Sequence, residues 1–236
     1  MTRAAAAVAG ALLLAACGDA PPSTLTVLAA ASLADAFADH PAGMPVRYSF
    51  AGSQQLVAQV EGGVPADVVA TADEVTMDRL VRAGLVETPR VLARNRLAIA
   101  VRPGNPRRIT ALADLAAPAI RVALADESVP AGRYARTVLD RAGVEVRPVS
   151  FELDVKAVVT RVASGEADAG IVYATDVRPG AGVEGVPLPD EANVLVSYAV
   201  AVIRSSRDLA NARTFVDRLL DGPGRQALVA RGYLAP

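Results

Sequence analysis

The chain has 236 residues, 52% of them hydrophobic and 21% charged, a balance typical of a globular protein rather than a disordered one. Its formal net charge of −1 gives no support to binding of nucleic acid or of an anionic membrane surface. With one cysteine, one histidine and no tryptophan, the sequence excludes an internal disulfide and a histidine–cysteine metal site.

The N-terminal segment has the features of an export signal. Arg3 supplies one positive charge, and the apolar run from Ala4 to Leu14 is too short to span a bilayer as a permanent helix. We therefore expect residues 1–16 to be a signal peptide. Residues 17–23 (CGDAPPS) are then a short polar linker in front of the folded part.

The rest of the chain alternates short apolar runs with helical patterns. Eight runs predict strands, at residues 25–30, 45–50, 66–70, 96–101, 120–125, 144–150, 169–173 and 194–203. Helical patterns begin near Ser32, Ser53, Glu74, Thr110, Ala131 and Asp154, and two more follow residue 205, broken at Gly222-Pro223. This alternation predicts an α/β fold with helices on both faces of its sheets.

Two of these strands are expected to connect two lobes. The strand at 96–101 follows three strand–helix units, and the strand at 194–203 precedes a purely helical C-terminus. If both cross between lobes, residues 24–97 and 199–236 form the first lobe, and residues 98–198 form the second. A cleft between two lobes is a usual place for a ligand.

Motifs for catalysis and nucleotide binding are missing from the sequence. His40 is the only histidine, and without a G-x-S-x-G turn a Ser–His–acid triad has no support. No phosphate-binding glycine loop or calcium loop occurs, and the G-x-G-x-x-G string at 180–185 (GAGVEG) is not followed by a helical pattern, so it gives no support to a dinucleotide site. A cleft enzyme that uses Asp67 or Asp168 remains an alternative, although each lies beside a strand, where a structural role is the simpler interpretation.

Small or hydroxylated residues recur where a strand passes into a helix. Ser32 follows LTVLAAA, Ser53 follows YSFAG, the stretch VPAG (129–132) follows VALADES, and Val155 follows VSFELD. Because helix N-termini carry unpaired N–H groups and a partial positive charge, several of them together can hold an anion. Taken singly, each is an ordinary helix start, with Ser32 and Ser53 as N-caps. The pattern indicates an exported two-lobe binding protein with an anion as candidate ligand.

Four motifs, in order, closely resemble the molybdate-binding proteins of bacterial ABC transporters: LTVLAAASLADAF, YSFAGSQQLVAQVEGGVPADVVATAD, DESVPAGRYA and GEADAGIVYATD. The resemblance extends over nearly everything after the linker. It implies a two-lobe periplasmic-binding-protein type II fold, with mixed sheets flanked by helices and a ligand cleft between the lobes. The implied ligand is molybdate or tungstate, held as an oxyanion without a cofactor and without bonds from protein to metal.

The resemblance also implies which residues bind the oxyanion. They are Ser32 and Ser53 through hydroxyl and backbone N–H, Ala131 and Val155 through backbone N–H, and Tyr173 through its phenol. In the second motif the family often has a run of serines, whereas this chain reads AGSQ at 51–54. A site made only of donors disfavours protonated phosphate, because the hydrogen of that ligand needs an acceptor. Sulfate is a bare dianion too, so a sulfate- or other oxyanion-binding protein of the same fold is an alternative.

The residues before Cys17 resemble the lipobox of bacterial lipoproteins, LAAC, in which the cysteine is lipidated and becomes the first mature residue. The alternative is a plain signal peptide with an incidental cysteine. We expect a monomer, tethered by a lipid outside the cytoplasmic membrane, that delivers its ligand to permease and ATPase subunits and has no nucleic-acid partner. A sensory module is a further alternative, although it would need an attached signalling domain.

Overall fold

The computed structural model describes residues 24–38 and 42–236. The expected signal peptide, Cys17, the linker and His40 lie outside the described residues. Within them, no helix is both long and apolar enough to cross a membrane.

The described residues form ten strands: β1 (Leu25–Ala30), β2 (Val46–Ala51), β3 (Val68–Thr71), β4 (Arg90–Asn95), β5 (Leu97–Val101), β6 (Val122–Ala125), β7 (Ser150–Glu152), β8 (Ala169–Tyr173), β9 (Glu184–Pro187) and β10 (Val196–Val202). The α-helices of the same residues are α1 (Ala34–Ala38), α2 (Ser53–Glu61), α3 (Glu74–Arg82), α4 (Pro130–Ala142), α5 (Val155–Ala163), α6 (Leu209–Leu220) and α7 (Pro223–Ala230). Short 3-10 helices span Ala31–Leu33, Leu112–Ala116 and Ala174–Val177.

The strands assemble into two mixed sheets, in the orders β2-β1-β3-β10-β4 and β7-β6-β8-β5-β9. Each sheet has three parallel strands, β2-β1-β3 and β7-β6-β8, and continues with antiparallel strands. Strands β3, β5, β6 and β8 are buried along their whole length, as expected of strands covered on both faces. The predicted α/β fold of two lobes with mixed sheets and flanking helices is confirmed.

The chain passes between the sheets twice, once over a single residue and once over residues 188–195. Only Arg96 separates β4 in the first sheet from β5 in the second, and β10 belongs to the first sheet throughout. The lobe limits expected from the sequence, 24–97 with 199–236 and 98–198, stay a prediction. A division into lobes has to place its boundaries where the chain changes sheet, at Arg96 and before Val196.

Some local predictions are wrong. The strand expected at 144–150 is β7, at Ser150–Glu152, and the preceding residues pair with no strand of the sheet along their length. Pro148 has no N–H to donate to a ladder, so the alternating pattern before it does not extend into a paired strand. Strands β4 and β9 were not predicted, because RVLARN and EGVP carry polar or turn-forming residues in at least half of their positions.

Candidate functional site

A cavity lies between the two sheets, at the carboxyl ends of their parallel strands. Its wall consists of residues at or shortly after the carboxyl ends of β1, β2, β3, β6, β7 and β8, the place where open α/β sheets bind ligands. All five residues expected from the sequence line it: Ser32, Ser53, Ala131, Val155 and Tyr173. The free volume between them is about 10 Å³, the room of a single water molecule.

Ser32 lies inside a 3-10 helix and does not cap a helix. The N-cap of that helix is Ala30, so the expectation that Ser32 is an N-cap is wrong. The Tyr198 hydroxyl donates to Ser32 Oγ over 3.1 Å, and the Tyr233 hydroxyl donates to the Ser32 carbonyl over 2.6 Å. Asn95 approaches the Tyr198 hydroxyl at 3.5 Å as a donor, which fixes the direction of this chain of hydrogen bonds. The Ser32 hydroxyl hydrogen is therefore left to point into the cavity.

The hydroxyl oxygen of Ser53, like that of Ser32, already accepts a hydrogen bond from the protein. Ser53 is the first residue of α2, and the N-cap is Gly52, so this N-cap prediction is also wrong. The Ala72 N–H donates to Ser53 Oγ over 3.0 Å, and Ser53 is 1% exposed. Because the oxygen already accepts a hydrogen bond, the hydroxyl is free to donate to a ligand. A side chain at Gly52 would lie 2.4 Å from the Leu153 carbonyl, so glycine lets the opposite lobe approach the serine.

Backbone N–H groups of two helix starts complete the wall. In α4 the first backbone hydrogen bond runs from the Arg133 N–H to the Val129 carbonyl, so the N–H of Ala131, two residues before this first donor, has no acceptor within its helix. Val155 is the first residue of α5, and the Asp154 side chain that caps this helix accepts from Ala157 over 2.9 Å. Both N–H groups belong to residues that line the cavity, and both helix dipoles present their positive ends to it.

Gly132 explains why the VPAG stretch needs glycine. An added Cβ there would lie 2.0 Å from the carbonyl oxygen of Asp126, so the start of α4 can pack this closely only on a residue without a side chain. The close packing places Ala131, the preceding residue, at the cavity.

Tyr173 supplies the strongest indication of a ligand. The residue is 1% exposed, and its phenol oxygen has no hydrogen-bond partner among the described residues. Burial, and then the neighbouring Tyr134, raise the pKa of Tyr173 well above its ordinary value, so the phenol keeps its proton and remains a donor. A buried donor without an acceptor costs about 1–3 kcal/mol, and an anion in the cavity would remove that cost.

The wall of the cavity holds no lysine or arginine among its described residues. Asp154 is the acidic residue there, and one of its oxygens is engaged in the cap of α5. The hydroxyls of two serines, one phenol and two helix-start N–H groups therefore converge without a cationic side chain. Such a set can bind a fully deprotonated anion by hydrogen bonds and helix dipoles alone.

Polar contacts join the lobes around the cavity. Gln54 Nε2 donates to the Leu153 carbonyl over 2.9 Å. Arg133 Nη2 donates to Asp73 and, over 2.8 Å, to Thr76 Oγ1. These two contacts and the Lys156–Asp35 ion pair of 2.8 Å connect elements that pack on different sheets. We call them the three clamps. Arg133 itself does not line the cavity.

The carboxylates of the enzyme alternative lie elsewhere. Asp67 and Asp168 directly precede β3 and β8, at the ends of these strands opposite to the cavity. Asp67 accepts hydrogen bonds from Thr26 N–H over 2.7 Å and from Ser206 Oγ over 2.6 Å. Asp168 forms ion pairs of 3.1 Å with Arg121 and 3.2 Å with Arg107. Burial by itself would raise the pKa of Asp168, but hydrogen bonds from Arg121 and Arg107 outweigh it and lower the pKa to about 2.

Comparison with known proteins agrees with this geometry. The family model of bacterial extracellular solute-binding proteins matches residues 22–234. The molybdate-binding protein ModA of Mycobacterium tuberculosis is 37% identical, with 94% of this chain and 93% of the relative covered. The chain belongs to the ModA family of bacterial extracellular solute-binding proteins. A relative from Bacillus subtilis, 27% identical with 98% of this chain and 96% of the relative covered, is named a putative ABC transporter substrate-binding lipoprotein.

Solved structures confirm the fold of this ModA-family protein. The periplasmic molybdate-binding protein of Azotobacter vinelandii superimposes with a TM-score of 0.77 at 23% identity, covering 90% of this chain and 99% of that one. The sulfate-binding protein SubI of M. tuberculosis gives a TM-score of 0.76 at 20% identity, covering 89% and 86%. Because both superimpose almost equally well, the fold alone does not distinguish the two oxyanions.

The sequence did not reveal the residues that orient the serines. Tyr198 on β10 donates to Ser32, and Asn95 on β4 donates to Tyr198, although they lie 166 and 63 residues from Ser32 in the sequence. Ala72, at the end of β3, donates to Ser53. A tyrosine inside a buried strand has the sequence pattern of a core residue, so the pattern YAVAVI gave no signal of this role.

Proposed function

We propose that this protein captures molybdate, and tungstate as its close analogue, outside the cytoplasmic membrane and delivers it to the permease and ATPase of an ABC transporter. One observation carries the proposal: the buried Tyr173 phenol lacks an acceptor and shares a cavity with two serine hydroxyls whose oxygens already accept hydrogen bonds. The name of the mycobacterial ModA relative supports the same ligand.

The chemistry of the donors selects the class of anion. Molybdate and tungstate carry no proton at neutral pH, so each oxygen can accept from a neutral donor. Hydrogen phosphate brings one hydrogen that needs an acceptor, and leaving it unpaired in a dry site costs about 1–3 kcal/mol. Sulfate has no such hydrogen and is the main rival. Its exclusion then depends on size, because longer metal–oxygen bonds let molybdate reach donors on both lobes at once.

Ligand entry requires the lobes to move apart. A cavity of about 10 Å³ does not admit a tetrahedral oxyanion while the three clamps are closed. Ser32 and Ser53 belong to elements of the first sheet, whereas Ala131, Val155 and Tyr173 belong to those of the second. The complete shell therefore forms only when the lobes close on the ligand, as in hinge closure of binding proteins.

The remaining parts of the proposal concern attachment and chemistry. We propose a monomer that binds without catalysis, since the carboxylates considered for a cleft enzyme serve structural hydrogen bonds away from the cavity. Lipid attachment through Cys17 is supported by the LAAC sequence and by the lipoprotein name of the B. subtilis relative.

Thermal unfolding with molybdate, tungstate, sulfate and phosphate at equal concentration tests the proposal. A ligand at a hundred times its Kd stabilises the folded state by about 2.7 kcal/mol. For a protein of this size we expect a rise in Tm of about 5–10 °C with molybdate or tungstate and little with phosphate. No rise with either metal oxyanion would refute the proposal, and an equal rise with sulfate alone would assign the protein to sulfate.

A further inference from the structure

A second and larger cavity adjoins the candidate site. Its volume is about 440 Å³, within the range of pockets that bind small molecules, and Ser32 forms part of the wall of both cavities. We call it the basic chamber and define it by residues that line it: Ser32, Asp35, Lys156, Arg178, Arg231 and Tyr233.

Positive charge predominates in the wall of the basic chamber. Three cations, Lys156, Arg178 and Arg231, face one carboxylate, Asp35. The charge of Lys156 is compensated by two carboxylates, since its Nζ lies 2.8 Å from Asp35 and 3.2 Å from the buried Asp176. The pKa of Asp35 is lowered by the hydrogen bond from Lys156, and also by the charges of Lys156, Arg231 and Arg178, so these cations act on the same space.

Arg178 is the cation with an unused donor. Its Nη1 is buried and has no hydrogen-bond acceptor among the described residues. Because that nitrogen is closed to solvent, what Arg178 contributes to the chamber is its positive charge, which forms no ion pair among the described residues.

The candidate site and the basic chamber are complementary in their electrostatics. The site offers neutral donors, which recognise an anion at contact but attract it little from a distance. The formal charge of the whole chain is −1, so the protein as a whole does not attract a dianion either. A local cluster of cations at the edge of the cleft is the arrangement that raises the rate of association of an anionic ligand.

We propose that the cations of the basic chamber form an encounter site at the edge of the cleft, which attracts a small oxyanion dianion while the lobes are apart and before it reaches the neutral site. Lys156 in α5 and Arg178 after β8 both belong to the side of the second sheet, so they stay together when the lobes part. This inference rests on the proposed function. Arg178 is the main contributor, because its guanidinium forms no ion pair among the described residues, whereas the charge of Lys156 is divided between two carboxylates.

The test is the association rate of sodium molybdate with Arg178→Gln. For a dianion passing at about 10 Å, loss of one charge should lower kon about threefold at 0.01 M ionic strength and about 1.5-fold at 0.15 M. The dissociation rate should stay unchanged, because Arg178 does not line the neutral site. Arg178→Lys keeps the charge and should restore most of kon.

Arg82→Gln is the matched control. It removes the same charge from an exposed residue at the C-terminal end of α3, about 13 Å along the helix from its N-cap Asp73, which belongs to a clamp, and should leave kon unchanged. Stopped-flow tyrosine fluorescence is a suitable signal, since the chain has five tyrosines and no tryptophan. Equal kon for the Gln variants of Arg178 and Arg82 at low ionic strength would overturn the encounter site, as would failure of Arg178→Lys to restore kon. Failure of the wild-type protein to bind molybdate at equilibrium would instead refute the proposed function.

Discussion

Replacement of Tyr173 by phenylalanine should change stability and affinity in opposite directions. In the ligand-free protein, the change removes a buried phenol that has no acceptor, so it should stabilise the fold by about 1–3 kcal/mol or leave it unaffected. In the complex, it removes a hydrogen bond to a charged ligand, worth about 1.5–3 kcal/mol. The predicted loss of molybdate affinity is about 10- to 150-fold.

Tyr48→Phe provides the control for this experiment. The Tyr48 hydroxyl is also buried without a hydrogen-bond partner among the described residues, but it lies on β2 and does not line the cavity. Its removal should leave molybdate affinity unchanged. Denaturant unfolding without ligand gives the stabilities, and titration calorimetry gives the affinities. If Tyr173→Phe destabilised the free protein and bound molybdate as tightly as wild type, the phenol would be a core group and the reasoning would fail.

Three further predictions follow from the same contacts. Ser32→Ala should weaken molybdate binding about tenfold or more with the fold retained, because its hydroxyl is a donor to the ligand; unchanged affinity in calorimetry would leave it a structural residue only. Asp168→Asn should lower the free energy of unfolding by about 2 kcal/mol at pH 7 without affecting binding. Because the folded pKa of about 2 lies below the ordinary value, this difference is fully present above about pH 4 and should fade as pH falls toward 2; a difference that persists at pH 2 would contradict the ion-pair account. Arg133→Ala opens one clamp and should accelerate dissociation, yet cost less affinity than Ala131→Pro, which deletes an N–H of the site; the reverse order in calorimetry would place Arg133 in the site.

The alternation of strands and helices was sufficient to predict an α/β fold of two lobes. The five candidate site residues came from the resemblance to molybdate-binding proteins, and the structure places all five on one cavity. Each lies at or after the carboxyl end of a parallel strand, and such ends meet at one edge of a sheet, so short motifs around Ser32, Ser53 and Tyr173 carry three-dimensional information.

The roles of the two serines could not be predicted in the same way. Both were expected to be N-caps, because serine before a helix commonly caps it. In the structure the Tyr198 hydroxyl donates to the oxygen of Ser32, and the Ala72 N–H donates to the oxygen of Ser53. Both donors come from remote parts of the chain. The prediction of a strand at 144–150 was wrong for a similar reason, since strand pairing depends on a partner strand that local alternation does not reveal.

Titration calorimetry of the wild-type protein with molybdate, in buffers that differ in their enthalpy of ionisation, tests the central claim most directly. If neutral donors alone bind a proton-free dianion, no proton is taken up or released, so the observed enthalpy at pH 7 should be the same in every buffer. The same protein should bind phosphate far more weakly than molybdate. Uptake or release of a proton on molybdate binding, or tighter binding of phosphate than of molybdate, would contradict a site made of neutral donors.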